Sequence, residues 1–186
     1  MDTRVIIGLI VLAIVVVALI GGWAYKRRRS SQLLRTRFGP EYERSVRQNG
    51  SAARAEAELQ RRLERVSHMA IRPLPEPARQ RYWERWLGVQ RAFVDDPRYA
   101  VAAADDLITD VMAARGYPIE SFEQLAADVS VDHAQVVSDY RAAHEIALRN
   151  RTGEIGTEEL RKAITYYRSL FEDLLETRAP AKKEVA

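Results

Sequence analysis

The run from Val5 to Ala24 reads VIIGLIVLAIVVVALIGGWA, twenty consecutive residues without a charge. As a helix rising 1.5 Å per residue it would span about 30 Å, the thickness of a bilayer's hydrocarbon core. No other feature limits the possible folds of this chain so strongly. Trp23 and Tyr25 sit at one end of the run, where amphipathic rings favour the membrane interface, and Lys26-Arg27-Arg28-Arg29 follows directly. A cleaved signal peptide would have a shorter apolar region, about 7 to 15 residues, and a small-residue cleavage site. This run is longer and ends in four cations, so the expectation is a retained anchor with Val5, Ile10, Val15, Ile20 and Trp23 in the bilayer.

The flanking charges set the expected orientation. Before the run there is only Arg4, offset by Asp2; after it come Lys26, Arg27, Arg28, Arg29, Arg35 and Arg37. Positive charge stays on the cytoplasmic side, so the N-terminus should face outward and the rest inward. The same six residues are the candidates for gripping anionic headgroups, which attract a nearby cation by about 1 kcal/mol each. Arg accounts for 25 of the 29 basic residues and Ala is frequent, in keeping with a GC-rich bacterial genome. The expected location is a bacterial inner membrane, crossed once.

Beyond the anchor the pattern is helical almost throughout. Ser30 to Thr36 should extend the first helix until Phe38-Gly39-Pro40 breaks it. A short helix over Glu41 to Gln48 should close at Asn49-Gly50, with Ser51 capping the next. That next helix carries Ala52, Ala55, Leu59, Leu63 and Val66 as one apolar stripe. Three prolines between Pro73 and Pro77 require an extended connector. A helix from about Ala78 to Val94 follows, then one opened by Asp95-Asp96-Pro97 and closed by Gly116. Ser121 should cap a short helix over Phe122 to Asp128, and a long one is expected from about Val131 to Asn150. In the last helix, capped by Thr157, Leu160, Ile164, Tyr167, Phe171 and Leu174 step by 4, 3, 4 and 3. No window alternates apolar and polar residues for long enough to make a strand. The expected fold class is all-α, an N-terminal transmembrane helix followed by a multi-helix bundle. Its expected parts are an anchor over 1–25, a basic juxtamembrane segment over 26–38, a bundle over 39–178 and a frayed tail over 179–186. A tetratricopeptide array is not expected, because no 34-residue period recurs.

The net charge of +3 conceals a polarity. From Lys26 to Arg91 there are 17 basic and 7 acidic residues, net +10; from Ala92 to Ala186 there are 11 basic and 18 acidic, net −7. Either the basic half reads anionic lipid or the two halves neutralise each other when packed. A nucleic-acid track along Arg54, Arg61, Arg62 and Arg65 is opposed by the interleaved Glu56, Glu58 and Glu64.

Few residues suggest chemistry. The chain has no cysteine, which excludes disulfides, thiolate zinc sites and a cysteine nucleophile. No phosphate-binding loop, dinucleotide fingerprint or nucleophile elbow occurs. Asp132, His133 and His144 are the polar-site candidates. His133 and His144 are eleven residues apart, about 16 Å of rise on a continuous helix, too far to share one ion. Asp132 with Gln135 has the spacing of a capping box, and His133 then falls in a first helical turn at the surface. His144 reads as a half-buried hydrogen-bonding residue. The acid pairs Asp95-Asp96 and Asp105-Asp106 read as caps and surface. Tyr82, Trp83, Trp86 and Phe93 read as core, or as a groove for a partner peptide.

RFGPEYER (Arg37 to Arg44), FVDDP (Phe93 to Pro97), RGYP (Arg115 to Pro118), SVDH (Ser130 to His133) and YRAAH (Tyr140 to His144) resemble a family of small bacterial proteins. Its members have one N-terminal membrane helix and a helical domain. The resemblance implies a membrane-anchored helical protein and brings no activity or site residue. The expected function is therefore that of a non-enzymatic protein-interaction or scaffolding module at the cytoplasmic face of the membrane. Its expected partners are the bilayer and another protein, with no cofactor, no metal and no nucleic acid. The alternatives are a sensor of anionic lipid surfaces and an unrecognised metal-binding protein or enzyme.

Overall fold

The computed structural model describes the backbone of residues 3–153 and 155–175; side chains at 3–11, 13–16, 20, 23, 24 and 27 lie outside the description. The described residues are all-α, in eight helices: α1 Thr3–Phe38, α2 Pro40–Asn49, α3 Ala52–Ser67, α4 Glu76–Asp95, α5 Pro97–Arg115, α6 Phe122–Val129, α7 Val137–Thr152 and α8 Thr157–Leu174. Two compact units divide between Arg37 and Phe38.

In the first unit, α1 runs unbroken to Phe38, where Gly39 takes a positive φ of 47° and Pro40 opens α2. Among the described residues no helix is long and apolar enough to cross a membrane. The side chains of Val5, Ile10, Val15, Ile20, Trp23 and Arg27 lie outside those residues. Lys26, Arg28, Arg29, Arg35 and Arg37 are exposed. The expected tail over 179–186 also lies outside the described residues.

The second unit is built around α5. This helix packs against α4, α7 and α8, and α7 also packs along α8. Three neighbours leave α5 little open surface, so Ala100, Val101, Ala104, Leu107, Ile108, Val111 and Met112 are all buried. They share one core cluster with Trp86 and Val89 of α4, Tyr140 and Ala143 of α7, and Tyr167, Leu170, Phe171 and Leu174 of α8. Trp86 and Trp83 stack on Phe171 with ring centroids 5.0 and 5.9 Å apart. Tyr82 and Phe93 pack partly buried against the same cluster. The four aromatic residues thus belong to the core side of α4.

A hairpin of α2 and α3 turns at Gly50, which adopts the left-handed conformation, and Ser51 caps α3 by accepting the Arg54 N–H. Its buried Tyr42, Ala55, Leu59 and Val66 lie outside the main core cluster. The inward stripe of α3 is Ala55, Leu59, Arg62 and Val66. Arg62 therefore takes the buried place that periodicity assigns to Leu63, because Glu41 waits there for a cation.

Two helix starts differ from expectation. The last helix is capped at Gly156, not at Thr157. α7 begins at Val137, not near Val131. Residues 130–136 instead form successive turns, in which His133 N–H and Val137 N–H donate to the carbonyls of Val129 and His133. The Asp132–Gln135 capping box is not made, and Asp132 is exposed in that turn segment.

Candidate functional site

The two candidate histidines separate, and each meets an aspartate from another helix. His133 is buried in the turns before α7, with 9% of its side chain exposed, and its Nδ1 lies 2.5 Å from Oδ2 of Asp173 on α8. It is not the surface residue its expected first-turn position implies. Next to it, burial raises the Tyr117 hydroxyl to about 12, with the carboxylates of Asp132, Asp128 and Asp173 adding to the rise and Arg115 opposing it. The Tyr117 hydroxyl, Asp128 Oδ2 and His133 Nε2 are buried and make no hydrogen bond among the described residues.

His144 belongs to a different constellation. Its Nδ1 lies 3.1 Å from Oδ1 of Asp105 on α5, and the hydroxyl of Tyr167 on α8 donates to the same oxygen at 2.8 Å. Phe122, the first residue of α6, stacks on the imidazole at 3.6 Å between centroids and 8° between planes. Asp105 is thus not a surface residue. Val101 and Ile108, four residues before it and three after, are buried, and three packed helices surround α5, so its carboxylate is satisfied internally. Burial, then the Asp105 carboxylate, pushes both Tyr167 and Tyr140 far above the ordinary phenol range.

Beside His144 is a cavity of about 130 Å³, lined also by Thr109, Ile119, Ser121, Phe122, Leu125 and Tyr140. Asp105, Ser121 and His144 all border it, but they do not form a nucleophilic triad. Ser121 Oγ accepts the Gln124 backbone N–H at 3.3 Å as the cap of α6 and is bonded to neither partner. No group of three His, Asp or Glu side chains among the described residues could hold a metal ion. The arrangement fixes an imidazole firmly and leaves Nε2 without a partner among the described residues.

A third polar centre escaped sequence reasoning. Glu41 at the start of α2 is 2% exposed, and its Oε1 accepts from both Arg62 of α3 and Arg141 of α7 at 3.1 Å each. Arg141 also reaches Glu123, and Arg65 of α3 donates from Nε to Asp128 of α6 at 2.8 Å. These charges fasten the α2–α3 hairpin to α6 and α7. Arg62 is buried at its ion pair, whereas Arg65 reaches the buried Asp128 from a partly exposed position.

No family model matches this chain, and no curated protein or solved structure matches it.

Proposed function

We propose that this protein is a single-pass, membrane-anchored helical bundle that acts without catalysis, as a protein-interaction module held at the cytoplasmic face of a bacterial membrane. One observation carries this reading. The uncharged Val5 to Ala24 run lies within a single helix, Thr3–Phe38, that passes through the cations Lys26 to Arg29 and ends one residue before the bundle's first helix. The exposed Lys26, Arg28, Arg29, Arg35 and Arg37 suit anionic headgroups and the inward side of the membrane.

An exposed face of α4 and α5 supports the interaction part of the reading. Leu87, Val94 and Tyr99 are exposed there, beside a groove of about 370 Å³ lined by small residues Gly88, Ala92 and Ala103 over buried Val89 and Leu107. Small residues over an apolar floor let a partner's side chains approach closely. A photo-crosslinking residue in place of Tyr99, in membranes of the native host, should give one discrete heterologous adduct. Ala92→Glu should abolish that adduct, and a crosslinker at exposed Leu148 should give none. Adducts of the same pattern from both positions, or none from either, would refute the interaction reading.

A further inference from the structure

We infer that a second copy of this chain docks on α4, with the two α4 helices antiparallel and crossing at Gly88. This goes beyond the proposed heterologous partner and leaves that partner's groove open.

The charges along one edge of α4 carry the inference. Arg81, Glu84, Gly88, Arg91 and Asp95 follow one another at helical spacing, so they lie along one edge of the helix. The four charged residues are all exposed. Arg81 and Glu84, like Arg91 and Asp95, are spaced to pair along the helix, yet none of the four makes an ion pair among the described residues. Their order is basic, acidic, glycine, basic, acidic. A second copy running the other way about Gly88 sets Arg81 against Asp95 and Glu84 against Arg91, and the two-fold axis repeats both contacts. A parallel copy would set each charge against itself. The pattern therefore selects an identical helix as the partner and also fixes its direction.

The centre of the pattern admits a close neighbour. A Cβ at Gly88 would meet nothing within 4 Å, so the edge is open there. Beside this edge Leu87 and Val94, one heptad apart, are apolar and exposed. Stepping about 100° per residue from Gly88, Glu84, Arg91, Leu87 and Val94 fall about 40 to 120° round the helix in one sense. Ala92, Arg85 and Val89 of the groove fall about 40 to 100° round in the other. A copy of α4 resting on Leu87 thus covers apolar surface on the side turned away from the groove and Tyr99.

The chain has no cysteine, so single cysteines can be joined by a short bismaleimide in full-length protein in detergent micelles. Leu87 lies next to the two-fold axis. The two Val94 positions of an antiparallel pair are about 20 Å apart along the helices, beyond a short reagent. Leu87→Cys should therefore give a covalent dimer, and the more exposed Val94→Cys should not. Glu84→Arg or Arg91→Glu, each added to Leu87→Cys, brings like charges together on both sides of the axis. Either should weaken the pair at least about tenfold, read as the protein concentration at which the adduct forms. The two reversals combined set opposite signs together again and should restore the adduct. No adduct from Leu87→Cys, an equal adduct from Val94→Cys, single reversals that leave the adduct unchanged, or a double reversal that fails to regain it would each overturn the assignment.

Discussion

Asp105 receives two donors on one oxygen in a nearly dry place, Tyr167 at 2.8 Å and His144 at 3.1 Å. Hydrogen bonds to a charged group contribute about 1.5 to 3 kcal/mol each, so Tyr167→Phe should lower the unfolding free energy by about that amount in urea titration. Tyr117 provides the contrast. Its hydroxyl is buried without a hydrogen bond, so Tyr117→Phe should be close to neutral or slightly stabilising. Alkali should act through the same residue. The folded state holds the Tyr117 proton up to about 12, whereas the unfolded chain releases it near 10. Between those values the unfolded state binds fewer protons, so the stability is whole below pH 10 and is lost as pH rises through 12. Urea midpoints measured from pH 8 to 12 should show that decline, to which buried Tyr140 and Tyr167 add in the same direction, and Tyr117→Phe should make it less steep. Some of this was readable from the residues. The apolar stripe of α5 was plain, but Asp105 read as a cap or surface residue although it lies between Val101 and Ile108 on that stripe. Which histidine would meet it was not readable, because the helices α5 and α7 are brought together only by tertiary packing.

Three helix starts followed their expected caps, whereas the last helix did not use Thr157. Ser51, Asp96 and Ser121 each accept an N–H at the start of their helices, and Gly116 closes α5 in the left-handed conformation. A Cβ at Gly116 would sit 2.7 Å from the carbonyl oxygen of Ala70, where Arg72 N–H also donates back to Arg115 O. Gly116→Ala should therefore cost at least about 1 to 2 kcal/mol of stability, read in the same titration, from the positive φ alone. The start of α7 failed to follow its cap-like residues. His133 is drawn to Asp173 on α8, a partner forty residues away that no local rule can see. The docking of the α2–α3 hairpin was equally hidden. Glu41 looked like an ordinary acid in a first helical turn, yet it is the shared acceptor of Arg62 and Arg141. Removing one member of a buried ion group costs about 3 to 5 kcal/mol, so Glu41→Gln should destabilise by about that much. Proteolysis of that variant should begin in the hairpin before the core helices are cut.

At the scale of the whole chain, the helical class and the apolar run were both plain in the sequence, since helical periodicity and hydropathy are local properties. The charge polarity was also plain, but its meaning lay in the packing. Part of the basic half is spent on Glu41 and Asp128. The chain has no cysteine, so single cysteines report position without background. Val94, 82% exposed on α4, can mark the bundle, and Asp2 the opposite end of the apolar run. The deciding measurement is labelling of Asp2→Cys and Val94→Cys proteins in intact spheroplasts by a membrane-impermeant maleimide, after confirming that both resist carbonate extraction. The account predicts that Asp2→Cys is labelled at once and Val94→Cys only after lysis. Release of the protein by carbonate, or labelling of Val94→Cys in intact spheroplasts, would contradict a cytoplasmic bundle anchored by Val5 to Ala24.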